Sequence, residues 1–188
     1  QRVRGKPLLE AFINLPIVLP PTVLGFYLLI VMSPSSGIGR AWEAVFGFPL
    51  LFTFVGIVVA SILHSLPFAV APMKSSFARI DQRLVENAQV LGLSPLAIFF
   101  RVILPNSLAG VAASAILVFL HTIGEFGVIL MVGGSIPGKT KVASIAIYEA
   151  VEALRYPDAW LMSITLVPVC FVFLLLVNRL TPEVTHGA

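Results

Sequence analysis

Long apolar stretches separated by short charged segments dominate the pattern of this chain. Four stretches contain no Asp, Glu, Lys or Arg, and they cover residues 11–39, 44–73, 102–124 and 159–178. About 20 helical residues, each rising about 1.5 Å, are enough to cross a hydrocarbon layer of about 30 Å. Helices are expected because lipid offers no hydrogen-bond partner to an open backbone. The pattern therefore predicts an all-α integral membrane protein, a polytopic helical bundle with at least four spans.

The predicted organisation is a single transmembrane domain over residues 1–188. Its spans are placed at about residues 9–32, 50–73, 106–131 and 158–178, with a cytoplasmic loop at about residues 74–105. A further charge-free piece, residues 126–138, holds four glycines and Pro137. It is too short to span alone, so it is predicted to bend or to re-enter the membrane after the third helix.

Composition excludes several classes of protein. Of the 188 residues, 58% are hydrophobic and 11% are charged, and the mean hydropathy is +1.00. A soluble domain carries about 25% charged residues, which excludes an ordinary soluble enzyme, a disordered chain and a nucleic-acid-binding domain. The single cysteine, Cys170, allows no intramolecular disulfide. A zinc site needs more ligand residues than this chain is expected to cluster, so no metal site is predicted.

The basic residues predict the orientation in the cell membrane, since Lys and Arg are more frequent in cytoplasmic loops. If the first residue is cytoplasmic, eight basic residues lie inside: Arg2, Arg4, Lys6, Lys74, Arg79, Arg83, Arg101 and Arg179. Four basic residues then lie outside: Arg40, Lys139, Lys141 and Arg155. Both ends are therefore predicted to be cytoplasmic. Because the chain begins at Gln1 rather than Met, a missing N-terminal part is also expected.

Three prolines in the first span, Pro16, Pro20 and Pro21, predict a kink or local unwinding, because proline lacks a backbone donor. Membranes tolerate such breaks where neighbouring helices or a water-filled cavity satisfy the freed carbonyl groups. Two interpretations stay open. The helix either lines a transport path or is a kinked helix that only packs against its neighbours.

Polar residues inside the spans are functional candidates. For His64 and His121, a hydrogen bond across a helix interface is the favoured interpretation. Glu125 has no basic residue near it in sequence, so it is predicted to have a structural role in the bend after the third span. A rival hypothesis makes these three residues the proton sites of an ion-coupled secondary transporter.

Residues 133–140 match the pattern G-x-x-x-x-G-K-[ST] of a phosphate-binding loop. The match is rejected because a membrane helix, rather than a strand, precedes the segment. Pro137 also removes one of the N–H donors that such a loop needs, and the predicted orientation places the segment outside the cell.

The long inside loop has the pattern of a helix, a sharp turn and a second helix. An amphipathic helix is predicted at residues 84–92, and its apolar face consists of Leu84, Val85, Ala88 and Leu91. Gly92 predicts the end of this helix, and Ser94 followed by Pro95 starts the next one. The face lacks aromatic anchors, which favours docking into a protein groove over lying on a lipid surface.

This loop resembles that of the permeases of ATP-binding-cassette (ABC) importers, which carries the signature E-A-A-x-x-x-G-x9-I-x-L-P. The matching positions are Glu86, Asn87, Ala88, Gly92, Val102, Leu104 and Pro105, with Asn87 in place of Ala and Val102 in place of Ile. In that family the short helix is a coupling helix that seats in a groove of a separate ATPase subunit. The resemblance implies an ATPase-coupling site made of Leu84, Val85, Glu86, Asn87, Ala88, Gly92, Leu93, Ser94, Val102, Leu104 and Pro105.

Further segments are similar to the molybdate permeases of that family: residues 10–25, 124–127, 134–140 and 145–148. Sulfate/thiosulfate and tungstate permeases share variants of these segments, so those anions stay open as alternatives. The resemblance implies a transport subunit with no catalytic residue and no cofactor of its own, because ATP and Mg belong to the ATPase. It also implies a permease homodimer, two ATPase subunits, an extracytoplasmic substrate-binding protein and no nucleic-acid partner.

A tetrahedral oxyanion needs a wet, polar path across the membrane that does not bind it tightly. The residues hypothesised to line such a path are Pro20, Pro21, Ser61, Ser65, Ser114, Thr122, Gly124 and Glu125. The alternative for the hydroxyl groups is that they hydrogen-bond between packed helices. A non-transporting scaffold would explain neither the loop signature nor the three prolines in one span.

Overall fold

The chain is helical throughout the part that the structure describes. This computed structural model describes residues 5–180, and no strand occurs among them. The helices are α1 (Lys6–Val18), α2 (Pro21–Met32), α3 (Gly37–Phe46), α4 (Phe54–Ala78), α5 (Gln82–Val90), α6 (Pro95–Ile98), α7 (Leu104–Asn106), α8 (Leu108–Gly124), α9 (Gly127–Gly133), α10 (Ala143–Glu152) and α11 (Tyr156–Leu180). A π-helical segment, Phe99–Ile103, joins α6 to α7. The all-α fold class is confirmed. Arg2 and Arg4, which the orientation prediction counts, lie outside the described residues.

Two of the described helices, α4 and α11, are long and apolar enough to cross a membrane. Two bent pairs meet the same criteria when each is joined: α1 with α2, bent by 115°, and Pro95–Asn106 with α8, bent by 70°. The described residues therefore offer two spans, or up to four if each bent pair counts as one. The predicted minimum of four is reached only when both pairs are counted.

The second and third predicted spans differ from the helices that the structure shows. α4 continues to Ala78, past the predicted end of the second span at residue 73. The third predicted span, residues 106–131, is interrupted: α8 ends at Gly124 and a separate helix, α9, begins at Gly127. The break after the third helix, predicted from residues 126–138, is therefore present, but it begins before residue 126.

The first bend follows from consecutive prolines. A residue that precedes proline is pushed out of the α region because the proline ring clashes with its backbone. Leu19 precedes Pro20 and has an extended ψ of 138°; Pro20 precedes Pro21 and has a ψ of 135°. The helix therefore stops after Val18 and restarts at Pro21. The predicted break is confirmed, whereas Pro16 remains inside α1.

The described chain forms two compact units, and the first comprises residues 5–67 and 121–168. Its larger core cluster is Leu28, Met32, Leu50, Leu51, Ala60, Val128 and Val132. Gly25 of α2 lies directly against α9, because a Cβ atom there would be 2.9 Å from Cβ of Met131. A second cluster, Ile57, Ile129 and Ile145, connects α4, α9 and α10. These contacts fix the position of α9, which begins two residues after Glu125.

The second unit comprises residues 68–120 and 169–180 of the described chain. Within it the C-terminal part of α4 crosses α8 at Gly110, where an added Cβ atom would be 2.2 Å from Cβ of Ser76. Phe119 and Phe173 pack with their ring centroids 4.9 Å apart, which joins α8 to α11. A glycine at position 110 is therefore required for this close crossing.

The crossing gives a prediction about stability. Gly110→Ala should lower the free energy of unfolding by about 1–2 kcal/mol, because the overlap with Ser76 outweighs the helix propensity gained by alanine. The double variant Gly110→Ala/Ser76→Gly adds a methyl group to α8 but removes the Ser76 side chain that it would meet, so it should recover most of the loss. Thermal unfolding in detergent measures both effects. Equal midpoints for wild type and Gly110→Ala would contradict the crossing.

Candidate functional site

The predicted helix, turn and helix are present as α5, a turn and α6, and we call residues 82–98 the elbow. The Asp81 side chain caps α5, since its Oδ1 atom accepts a hydrogen bond from the N–H of Arg83 at 2.9 Å. α5 therefore begins at Gln82, two residues before the predicted start at residue 84. The cap fixes the direction in which the chain enters the elbow.

The turn of the elbow is a Schellman motif. Gly92 has a φ of +75°, in the left-handed region that favours glycine. The N–H of Leu93 donates to the carbonyl of Ala88 at 3.1 Å, and the N–H of Gly92 donates to the carbonyl of Gln89 at 2.9 Å. Ser94 then caps α6 by accepting a hydrogen bond from the N–H of Ala97 at 3.3 Å. The predictions that Gly92 ends the first helix and that Ser94 starts the second are confirmed.

The exposed apolar surface of the elbow differs from the predicted face. Ala88 is buried against its own chain, whereas Leu91 is 78% exposed. Val90 and Leu96, which the amphipathic pattern did not select, are 87% and 69% exposed. Leu84, Val90, Leu91 and Leu96 therefore form the exposed apolar surface. The sequence signal for Val90 and Leu96 was their position on either side of the glycine turn.

The remaining signature residues shape the exit from the elbow. Glu86, Asn87 and Pro105 are exposed, whereas Val85, Leu93, Val102 and Leu104 are half-buried. Pro105 has no N–H and its ring would clash with the carbonyl four residues earlier, so the helix widens into the π-helical segment before it. The backbone carbonyl of Val102 accepts a hydrogen bond from the side-chain Nδ2 of Asn106 at 2.7 Å. The segment Pro95–Asn106 meets α8 at a bend of 70°.

A second candidate site is a buried group formed by His64, His121 and Glu125, which we call the His–Glu cluster. The Nε2 atom of His64 lies 2.8 Å from Oε2 of Glu125, and Nε2 of His121 lies 3.9 Å from the same oxygen. The two imidazole ring centroids are 4.7 Å apart. His64 is 4% exposed and Glu125 is 6% exposed. All three side chains belong to the first compact unit.

Glu125 holds the break between α8 and α9. Its Oε1 atom accepts a hydrogen bond from the N–H of Val128 at 3.0 Å, which satisfies a free donor at the start of α9. Its backbone carbonyl accepts a hydrogen bond from Ser144 at 2.6 Å. The predicted structural role in the bend is confirmed. The missing basic partner is His64, which lies far away in sequence on α4 and which no local pattern could pair with Glu125.

Hydroxyl groups extend this cluster. Oγ of Ser65 lies 3.1 Å from Oγ1 of Thr122, so one hydroxyl donates to the other. Ser61 lies one turn before Ser65 on α4, and its buried Oγ atom has no hydrogen-bond partner among the described residues. The structure therefore brings Ser65, Thr122 and Glu125 together with the two histidines, and it places Ser61 on the same helix face.

The other residues of the hypothesised path are placed differently. Pro21 approaches the start of α9, because a Cβ atom on Gly127 would be 2.9 Å from Cβ of Pro21. Pro20 and Gly124 are exposed. Ser114 donates to the carbonyl of Gly110 in its own helix at 2.9 Å, which is a helix-packing arrangement rather than a polar path.

The cluster overturns one prediction made from composition. The chain was expected to be unable to cluster enough metal-ligating residues, yet one ligand atom from each of His64, His121 and Glu125 lies within 4.8 Å of the others. Imidazole nitrogen and carboxylate oxygen are ligands for zinc and for other divalent transition metals. The expectation failed because composition counts residues but does not show which of them the fold brings together.

The phosphate-loop match has no phosphate-binding geometry. The carbonyl of Ile136 accepts hydrogen bonds from the N–H groups of Lys139, Thr140 and Lys141 at 3.1, 2.9 and 3.1 Å. The N–H of Ile136 itself donates to Oγ1 of Thr140 at 3.0 Å. These amides are bonded within the loop and cannot surround a phosphate group. The geometry supports the rejection of the motif.

This loop is also held by Glu149 of α10, which accepts hydrogen bonds from Nζ of Lys141 and Oγ of Ser135. The hydrogen bond from Lys141, followed by that from Ser135, holds the pKa of Glu149 below its ordinary value. A carboxyl group with a lowered pKa in the folded state stabilises that state at neutral pH. The contribution is lost as the pH falls through the folded-state pKa.

The lowered pKa of Glu149 predicts a pH-dependent mutant effect. Glu149→Gln should slightly lower the unfolding midpoint at neutral pH, and the two proteins should converge in acid, where the carboxyl group is protonated. Glu152→Gln, which alters an exposed carboxylate on the same helix, is the matched control. Thermal unfolding across a pH series measures the difference. A deficit that is equally large at neutral and acidic pH would contradict this role of the ion pair.

Comparison with known proteins gives consistent matches along the chain. Residues 1–186 match the model of a family described as binding-protein-dependent transport system inner membrane component. The chain is 47% identical over 161 residues to the molybdenum transport system permease protein ModB of Azotobacter vinelandii, covering 85% of this chain and 71% of that protein. It is 35% identical over 175 residues to the putative molybdenum transport system permease protein YvgM of Bacillus subtilis (strain 168), covering 93% and 77%. It is 31% identical over 176 residues to the sulfate transport system permease protein CysT of Synechocystis sp., covering 94% and 61%.

Proposed function

Because the chain belongs to the family of binding-protein-dependent transport system inner membrane components, the permeases of ABC importers, we propose that it forms the transmembrane path for a tetrahedral oxyanion, molybdate. The chain is a multi-pass membrane permease, a transport subunit rather than an enzyme. The family acts together with an ATPase and a substrate-binding protein. Sulfate, thiosulfate and tungstate are the alternative substrates, and an ion-coupled secondary transporter is the remoter alternative function.

Sequence similarity supports molybdate over sulfate. The molybdenum permeases of A. vinelandii and B. subtilis share a larger fraction of identical residues with this chain than the Synechocystis sulfate permease does. The preference is one of degree, because all three align with most of the chain. The substrate is therefore the part of the proposal that needs a direct test.

The proposal that ATP hydrolysis drives transport rests on the elbow. Its turn is fixed by the Schellman motif, and the side chains of Val90, Leu91 and Leu96 on either side of it are mostly exposed. Apolar side chains grouped on a cytoplasmic loop are typical of a surface that binds another protein. We infer that this surface, with Glu86 and Asn87 beside it, seats in a groove of the ATPase. ATP and Mg then belong to that partner, and this chain has no cofactor of its own.

The assembly we propose contains two copies of the permease and two ATPase subunits, and it receives substrate from an extracytoplasmic binding protein. We infer that both ends of this chain lie in the cytoplasm, on the side of the elbow, because basic residues are more frequent in cytoplasmic loops and several surround the elbow. Only 6% of the most apolar part of α11 is buried within the chain. Lipid and the second permease copy would cover this surface.

The hydroxyl groups beside the His–Glu cluster are proposed to contribute to the path. Ser61, Ser65 and Thr122 can donate hydrogen bonds to an oxyanion without adding a fixed positive charge, which would hold the anion too tightly. Ser65 and Thr122 already bond to each other, so they can exchange that bond for one to a passing anion or water. Affinity for the anion would then reside mainly in the binding protein.

Uptake by the complete transporter in liposomes tests the proposed function. We expect molybdate to accumulate only when ATP, the ATPase and the binding protein are all present, with weak competition by sulfate and thiosulfate. If sulfate competes for uptake as well as unlabelled molybdate does, the substrate would be reassigned within the family. Uptake driven by an ion gradient without the ATPase would contradict the proposal and favour a secondary transporter.

A further inference from the structure

The His–Glu cluster contains three metal-ligating side chains around one point. We propose that His64, His121 and Glu125 form a binding site for one divalent transition-metal ion of the Zn²⁺, Co²⁺ or Ni²⁺ class. The inference does not rest on the proposed transport function, because it uses only the positions and chemistry of these three side chains.

The distances support a four-coordinate site. A metal about 2.1 Å from each ligand atom keeps those atoms about 3.4 Å apart in tetrahedral geometry. The separation from Oε2 of Glu125 is 2.8 Å for Nε2 of His64 and 3.9 Å for Nε2 of His121, on either side of that value. The three ligand atoms all lie within 4.8 Å of one another, so side-chain movements of up to about 1.4 Å would bring them to the required spacing.

Electrostatics also favours a cation at this position. The Glu125 carboxylate is buried, and its partners among residues 5–180 are the two imidazoles and the Val128 N–H, with no Lys or Arg side chain within ion-pair distance. An ionised carboxylate held away from water without a fixed positive charge beside it is costly, and a bound cation removes that cost. Buried charges are, as a rule, either paired or coordinated to a metal ion.

The cluster has both a rigid side and an accessible side. Glu125 is fixed by the Val128 N–H through its other oxygen, and His64 projects from the long helix α4. The side chain of His121 is 22% exposed, so an ion can reach the cluster from that side. Three protein ligands leave a fourth coordination position for water, as in zinc sites that keep an open position.

Titration of the full-length permease with Co²⁺ tests the proposal. The permease is placed in lipid nanodiscs without the ATPase, and it carries Cys170→Ser so that the cysteine of this chain does not contribute. We expect one Co²⁺ per chain, the strong visible absorption of a tetrahedral Co²⁺ site, and displacement by Zn²⁺. His121→Ala should weaken binding by more than about tenfold, because loss of a group that merely supports a ligand already costs about 10–100-fold.

Two further variants separate ligation from a general loss of structure. His121→Cys should keep Co²⁺ bound and add a thiolate-to-cobalt charge-transfer band, a signal that a misfolded site would not give. His186→Ala removes the remaining histidine of the chain, outside the described residues, and should bind Co²⁺ as the wild type does. The proposal is overturned if the wild type binds no Co²⁺, if His121→Ala binds it equally well, or if His121→Cys gives no thiolate band.

Discussion

Gly92→Val is expected to abolish most ATP-driven import while leaving the permease in the membrane. Gly92 has a φ of +75°, and a residue with a Cβ atom is strained in that left-handed region by about 1–2 kcal/mol. A cost of that size shifts an equilibrium by about 5–30-fold. Because the N–H groups of Gly92 and Leu93 close the turn, the strain should open the elbow and move Val90 and Leu91 away from their docking positions.

The matched variants distinguish strain from the effect of a bulky side chain. Gly92→Asn should retain most import, because asparagine tolerates the left-handed conformation. Gly37→Val introduces the same side chain at a glycine whose added Cβ atom would meet open space, and it should retain import too. The ratio of uptake to ATP hydrolysis and the amount of copurified ATPase measure the effect. Wild-type import by Gly92→Val would contradict the docking role of the elbow.

Glu125→Ala should destabilise the fold more than Gly110→Ala or Glu149→Gln does. It removes the acceptor of the Val128 N–H and the partner of His64, and both of these groups are buried. Each buried polar group that is left without its hydrogen-bond partner costs about 1–3 kcal/mol, and this variant leaves two such groups. We therefore expect a large loss of folded protein in detergent and a lower unfolding midpoint.

Two other variants test the cause of this loss. Glu125→Gln should fall between wild type and Glu125→Ala, because the amide oxygen can still accept a hydrogen bond from Val128. Glu86→Ala removes an exposed carboxylate of the elbow and should leave the unfolding midpoint unchanged. If Glu125→Ala unfolds at the same temperature as the wild type, the His–Glu cluster does not hold the α8–α9 break together.

Local features of the fold were the ones that the sequence predicted best. The break in the first span depends on adjacent residues, Leu19, Pro20 and Pro21, so its cause is visible in the sequence itself. The elbow is also local, because Gly92 ends one helix and Ser94 starts the next. The burial of Ala88 could not be predicted in this way, since it depends on how the elbow packs against the rest of its own chain.

Features that join distant parts of the chain were not predictable in the same way. The sequence marked His64, His121 and Glu125 as unusual because polar residues are rare in spans. The four-residue spacing of His121 and Glu125 is that of neighbours on one helix face, but the sequence indicated no pairing of either residue with His64. Their contact depends on α4 lying beside the end of α8, which hydrophobic periodicity alone does not determine. The same reason explains why the prediction of no metal-ligand cluster failed.

Crosslinking from position 91 tests the central claim most directly, namely that the elbow docks on an ATPase. Cys170 is the only cysteine of this sequence, so Cys170→Ser leaves the chain without a cysteine before Leu91→Cys is introduced. The account predicts a crosslink to a cysteine placed in the groove of the ATPase, with a yield that changes when ATP is added. Labelling of Leu91→Cys by a membrane-impermeant reagent outside intact cells, with no crosslink to the ATPase, would contradict it.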